Sequence, residues 1–260
     1  MNFINTFQSE WLKKKRSLAS WLVIVGAFFT PSIILMSRIK NADQLSALYV
    51  SDDFWQKLWN QTWESMAVFL LPIGIILAAG LITQIEYKNN TWKQLHTTPQ
   101  RFTTIFFAKF LVILIMLVEV FVLFNVGIYL SAVVPSMLFS NVPYPTAPIP
   151  YMDFLNANVN FFLDCLPILA LQYLLSLQFK NFLVPIGVGF VIWFLGVGML
   201  AWEYSYILPY NHGTIDFLMS SDQFANRKIP PINIQLLAAI YFVVITVASY
   251  VLYVTKKEKG

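Results

Sequence analysis

Six apolar stretches separated by short polar ones organise the chain. They run over about 18–36, 65–85, 102–134, 159–179, 182–202 and 234–254. Each is near the ~20 residues that an α-helix needs to cross a bilayer. The third is too long for a perpendicular span, so its first turns are expected in the membrane interface, with Lys109 snorkelling toward the headgroups. Only Lys180-Asn181 separates the fourth stretch from the fifth. The pattern predicts an all-α polytopic membrane protein with six transmembrane helices in one domain over residues 1–260. No loop is long enough for a second, soluble domain.

Two polar stretches carry a helical period of their own. In the first, residues 86–95, Tyr87, Thr91, Trp92 and Leu95 share one arc, and Glu86, Asn89, Asn90 and Lys93 fall opposite. Glu86 stands in the first turn, where a negative charge suits the helix dipole. Pro99 stops this helix from continuing into the third span. Two readings stand: a helix lying in the headgroups, or a handle gripped by a soluble partner. In the second stretch, residues 1–16, Phe3, Ile4, Phe7 and Trp11 share an arc, and Lys13-Lys14-Lys15-Arg16 close the helix as a cytoplasmic anchor. A long polar lead-in and no A-x-A site after the apolar run argue against a secretory leader.

The remaining loops are modest. Trp55, Trp59 and Trp63 recur every four residues and predict an interfacial helix stripe within 37–64. Five prolines between 135 and 150 favour extended chain. Residues 203–233 read as a partly re-entrant pair of short helices.

Composition supports the membrane reading. Hydrophobic residues make up 58% of the chain and charged residues 12%, with a mean hydropathy of +0.64; soluble domains carry roughly 25% charged residues. The net charge of +4 is too small to point to nucleic acid. Its placement reports orientation. With both termini in the cytoplasm, the inner side holds all of the 17 Lys and Arg except Arg38, Lys40, Lys57, Arg227 and Lys228. Residues 86–101 are then cytoplasmic. One cysteine, Cys165, excludes an internal disulfide, and two distant histidines make a poor metal site.

Enzyme signatures are lacking. The chain has no G-x-x-x-x-G-K-[ST], no G-x-S-x-G and no H-E-x-x-H. No cofactor is expected. Glu119 and Asp164 are carboxylates at membrane depth, a costly placement that normally faces a bundle interior. Each is open to two readings: a proton or substrate contact, or a group hydrogen-bonded to a neighbour such as Asn125 or Gln172 that only holds the bundle. Gly189 and Gly196 share a face of the fifth span and let another helix approach closely, within the subunit or at a dimer seam.

Taken whole, the chain resembles the permease subunit of a type-2 ABC exporter, in the branch of small bacterial lantibiotic-immunity and bacitracin-resistance-like permeases. Three features carry this: an amphipathic helix running into the first span; the loop Glu86-Tyr-Lys-Asn-Asn-Thr-Trp-Lys-Gln-Leu-His-Thr-Thr-Pro99 with Lys109 entering the third span; and six spans with a longer outer segment before the last. His96-Thr97-Thr98 stand where the family's loop is usually more apolar. The resemblance implies that 86–95 is a coupling helix docking on a separate ABC ATPase through Glu86, Tyr87, Asn90, Trp92, Lys93 and Leu95. It also implies a second permease subunit, identical or a sister chain, in a cytoplasmic (inner) membrane. The implied substrate is amphipathic (a peptide, an antibiotic or a lipid), moved along a path lined by the second and fifth spans. Two rivals remain from the residues alone. A proton-coupled transporter using Glu119 would carry an internal repeat, and none is visible. A non-transporting assembly or sensor protein would need no ATPase.

Overall fold

The computed structural model describes residues 3–15, 17–88, 101–221 and 230–255, with 86–88 as backbone only. It is helical throughout, with no strand among the described residues. Helix α1 (Phe3–Lys15) leads through Ser17, whose Oγ accepts the Ala19 N–H at 3.2 Å, into α2 (Leu18–Lys40). A short α3 (Leu45–Tyr49) turns the chain into α4 (Phe54–Ser65) and α5 (Leu71–Lys88). Then follow α6 (Phe102–Leu138), α7 (Tyr151–Gln178), α8 (Leu183–Gly198), α9 (His212–Ser220) and α10 (Ile234–Thr255). Among the described residues five helices are long and apolar enough to cross a membrane; α8, at 16 residues, is a shorter apolar helix.

The second span begins earlier than its hydrophobicity suggests. Residues 54–88 form one rod, α4 and α5 joined by a π-helical turn at Met66–Leu70. Pro72 explains the turn. A proline has no N–H to return to the carbonyl four residues back, and its ring crowds that carbonyl. The carbonyl in question, Val68, accepts a hydrogen bond from Trp193 Nε1 on α8 at 2.9 Å.

The tryptophan stripe on α4 is not interfacial. Trp59 stacks on Phe154 at 4.2 Å and Trp63 on Phe161 at 4.3 Å, and Trp55 Nε1 donates to the Ala147 carbonyl at 2.9 Å. All three side chains are buried. The four-residue spacing is that of a buried helical face as well as of an interfacial one, and α7 supplies the covering rings. It does so because it starts at Tyr151, about two turns ahead of its apolar run. Asn158, in those extra turns, exchanges hydrogen bonds with Asn125 on α6 at 2.8 and 3.2 Å. The proline-rich segment expected to be extended over 135–157 is non-helical only from 139 to 150, with a turn at its start; Pro135 lies inside α6 and 151–157 begin α7.

α2 packs along α6, most closely where Gly127 faces the Pro31 ring; a Cβ there would lie 2.9 Å from it. α10 packs along α7, and its Tyr250 and Tyr253 meet Phe106 of α6. After α8 the chain makes two 3₁₀ turns and the nine-residue α9, which leans on α7 and α10.

Candidate functional site

Three features stand out: a charged seam between α1 and α6, an apolar cavity between α2, α5 and α6, and a polar layer around α9.

The seam reverses the expected face of α1. Phe7 and Trp11 do pack on the core, but Phe3 and Ile4 are exposed, and the buried stripe is Thr6, Glu10 and Lys14. Residues at i, i+4 and i+8 share one helix face, so this polar set meets α6 together. Lys109 does not snorkel. Its Nζ donates to Glu10 Oε2 at 2.7 Å, and both side chains are under 5% exposed. Glu10 also receives Lys13. Lys14 donates to Glu119 Oε2 at 2.6 Å and lies 4.4 Å from the centre of the Trp11 ring. Glu119 is therefore, with Lys109, an α6 partner of the N-terminal helix, and Asn125 serves Asn158 instead. A pairing 105 residues apart has no local signal.

The cavity holds about 240 Å³. Every side chain lining it, among the described residues, is apolar, and α2, α5 and α6 supply most of them. Gly26 on α2 and Gly74 on α5 both line it, and a Cβ built on either would meet nothing within 4 Å. The π-helical turn forms one edge through Met66 and Leu70. The fifth apolar stretch contributes no residue to this cavity, which lies between the first three spans. α8 turns its Pro185, Gly189 and Trp193 inward onto α5 and α7, which leaves it behind the cavity wall.

The polar layer gathers residues from α7, α8 and α9. Gln172 donates to the Pro185 carbonyl at 2.7 Å and accepts from Tyr210 Oη at 3.0 Å. It lies against Gly189, and Asn211 lies against Gly196; a Cβ on either glycine would come within 2.6 Å of these amides. Both glycines thus face polar side chains of the same subunit. Asp164 is fully buried beside Gly213, with no hydrogen-bond partner on either carboxylate oxygen among the described residues. Neither Asn125 nor Gln172 holds it. His212 Nε2 donates to the Tyr206 carbonyl at 2.9 Å, while its Nδ1 has no partner among the described residues.

Burial lowers the His212 imidazole from 6.5 to about 4. An unfolded chain binds that proton more tightly, so this histidine's contribution is complete above pH 6.5 and falls as the pH drops toward 4. Asp216, raised by burial, has the opposite sign. Between pH 6.5 and 5 the wild type should lose about 1–2 kcal/mol more than His212→Asn. Unfolding in detergent at the two pH values measures this, and equal losses in both proteins would refute it.

The predicted loop residues Asn90, Trp92, Lys93 and Leu95 lie outside the described residues. Glu86 and Tyr87 are placed as backbone in the last turn of α5. That helix runs unbroken from the cavity wall at Ile73–Ala78 to Lys88.

A family model described as ABC-2 family transporter protein matches residues 6–196. The chain belongs to the ABC-2 transporter family. No curated protein matches it by sequence. As an ABC-2 permease it is a multi-pass membrane component of an ABC transporter, and the family implies partnership with an ABC ATPase. The match covers the seam, the cavity and Asp164, and ends before α9 and α10.

Proposed function

We propose that this permease exports an amphipathic substrate (a peptide, an antibiotic or a lipid) from the membrane, driven by ATP hydrolysed on a separate subunit. Two permease chains and two ATPases make the working unit in the inner membrane, with both termini cytoplasmic. The Glu86–Pro99 pattern is the reason to place it near the lantibiotic-immunity and bacitracin-resistance-like permeases. Glu86, Tyr87, Asn90, Trp92, Lys93 and Leu95 form the ATPase contact.

One observation supports this mechanism above the others. α5 is a single unbroken helix whose first half lines the cavity and whose last turn carries Glu86. Eight residues, about 12 Å of helix, separate Ala78 from Glu86. A push on the loop moves the cavity wall directly. The π-helical turn at the far end of α5 is where such motion can be absorbed, since a π-turn is a local departure from the regular ladder, often found at functional sites. ATP-driven closure then favours one of two arrangements of the spans, the differential contact that any switch requires. Glu119 bonded to Lys14 is occupied in holding α1, which disfavours the proton-coupled alternative.

The test is co-purification with the ATPase encoded beside the gene. A tag on the permease should recover the ATPase, and Glu86→Arg should abolish recovery or uncouple ATP hydrolysis from transport by about tenfold or more, as loss of one buried charged contact does. Wild-type coupling in Glu86→Arg would remove the assignment of 86–95.

A further inference from the structure

We infer that the cavity between α2, α5 and α6 seats a single acyl chain of a bilayer lipid, admitted sideways past α2, and that Gly26 and Gly74 set how much chain it admits.

Four observations carry this. First, the lining has no polar side chain among the described residues. A peptide backbone placed inside would leave its N–H and C=O groups without partners, a substantial cost for each group. A hydrocarbon chain brings no such groups. Second, the volume is about 240 Å³, and an apolar cavity of about 150 Å³ already takes up benzene. The space thus suits a stretch of alkyl chain and is too small for a whole drug-sized molecule. Third, the opening lies on the outer flank of α2. Val25 and Phe29 line the cavity and yet are 57% and 52% exposed. On a spanning helix that flank meets lipid tails, so the occupant nearest to hand is an acyl chain. Fourth, Gly26 and Gly74 stand on helices that face each other across the cavity, and a Cβ on either meets nothing within 4 Å. Gly80, Gly127, Gly189 and Gly196 abut neighbouring side chains at close range, and Gly187 and Gly198 are open but line no part of this cavity. Here the missing side chains leave space.

Binding of the chain stands on the cavity alone. That the bound chain belongs to the exported molecule rests on the permease reading above. Lipid headgroups would remain at the membrane surface while α5 squeezes the tail, so substrates are selected by chain rather than by headgroup.

The experiment uses the full chain in vesicles of phosphatidylcholine and phosphatidylglycerol with a trace of phosphatidylcholine carrying a photoreactive diazirine near the end of one acyl chain. Cross-links are mapped by peptide mass spectrometry. Labelling is expected at 22–29, 70–78 and 113–120, above the level on the outward face of α10. Gly26→Leu and Gly74→Leu should each leave the unfolding temperature unchanged or higher. Together they should cut cavity labelling by about tenfold, the effect of excluding roughly two methylenes. Gly26→Ala and Gly74→Ala should give graded losses, and they carry the test if a leucine variant fails to fold. Uniform labelling that ignores these substitutions would overturn the inference. Labelling by a free diazirine fatty acid but not by the phospholipid would also overturn it. So would a Val25→Cys disulfide between two copies that blocks the label, which would make a second permease the occupant. The same samples are assayed for ATPase recovery. Recovery without cavity labelling sinks the acyl-chain site and leaves the permease reading standing; labelling without recovery does the reverse.

Discussion

Glu10→Leu should cost about 3–5 kcal/mol of stability, the usual loss when one member of a buried ion pair is removed. The substitution takes away the carboxylate 2.7 Å from Lys109, and neither side chain is solvated enough for water to compensate. The double variant Glu10→Leu/Lys109→Met should recover most of the loss, because two apolar side chains of similar size fill the seam without a desolvated charge. The Lys14–Glu119 pair is the control. Glu119 is about one-third exposed, so Glu119→Gln should cost much less. Chemical denaturation in detergent gives the energies, and protease cleavage between α1 and α2 reports whether the N-terminal helix has lifted from α6. Wild-type stability in Glu10→Leu would mean that the seam is ornamental. The result also bears on function. If α1 transmits movement to α6, the repaired double variant should fold well and still transport poorly, because an apolar seam slides where an ion pair holds register.

Trp63→Ala should cost a further 3–5 kcal/mol, the range for large aromatic deletions in cores. Trp63 is fully buried, stacked on Phe161 at 4.3 Å and set edge-on to Phe124 at 5.1 Å. It ties α4 to both α6 and α7. Trp63→Phe should keep part of the stack and lose markedly less. The interfacial reading of the stripe predicts the opposite, a small effect in Ala and Phe alike, so one denaturation series separates the two. Loss of this stack would also free the upper half of the rod that ends in the π-helical turn, so the lever of α5 should lose its fixed end.

Much of this architecture was legible in the residues. Hydrophobic run length alone placed the long helices, because a bilayer imposes a length that a soluble core does not. The amphipathic period placed α1, and the prolines marked the break between α6 and α7 without fixing its ends, since Pro135 is taken into α6 and α7 begins at Tyr151. Helix ends were less legible. The tryptophan spacing gave α4 as a helix but placed it at the interface, and the first turns of α7 are polar enough to read as extended chain; each element covers the other, Trp59 on Phe154 and Trp63 on Phe161. The predicted coupling residues from Asn90 to Leu95 fall outside the described residues, so for them the sequence pattern is the whole argument.

What the sequence by itself determined is therefore the class: an all-helical membrane protein of apolar rods without catalytic motifs, with a short polar loop resembling that of an ABC permease. Composition and period are local properties, and they suffice for that. Only the tertiary structure decided the partners. It paired Glu10 with Lys109 and Glu119 with Lys14, moved the tryptophans from the interface into the core, and set the cavity between the first three spans. Each of these depends on which helix faces which across a hundred residues of chain, and an interaction energy between distant side chains leaves no periodic mark on either segment.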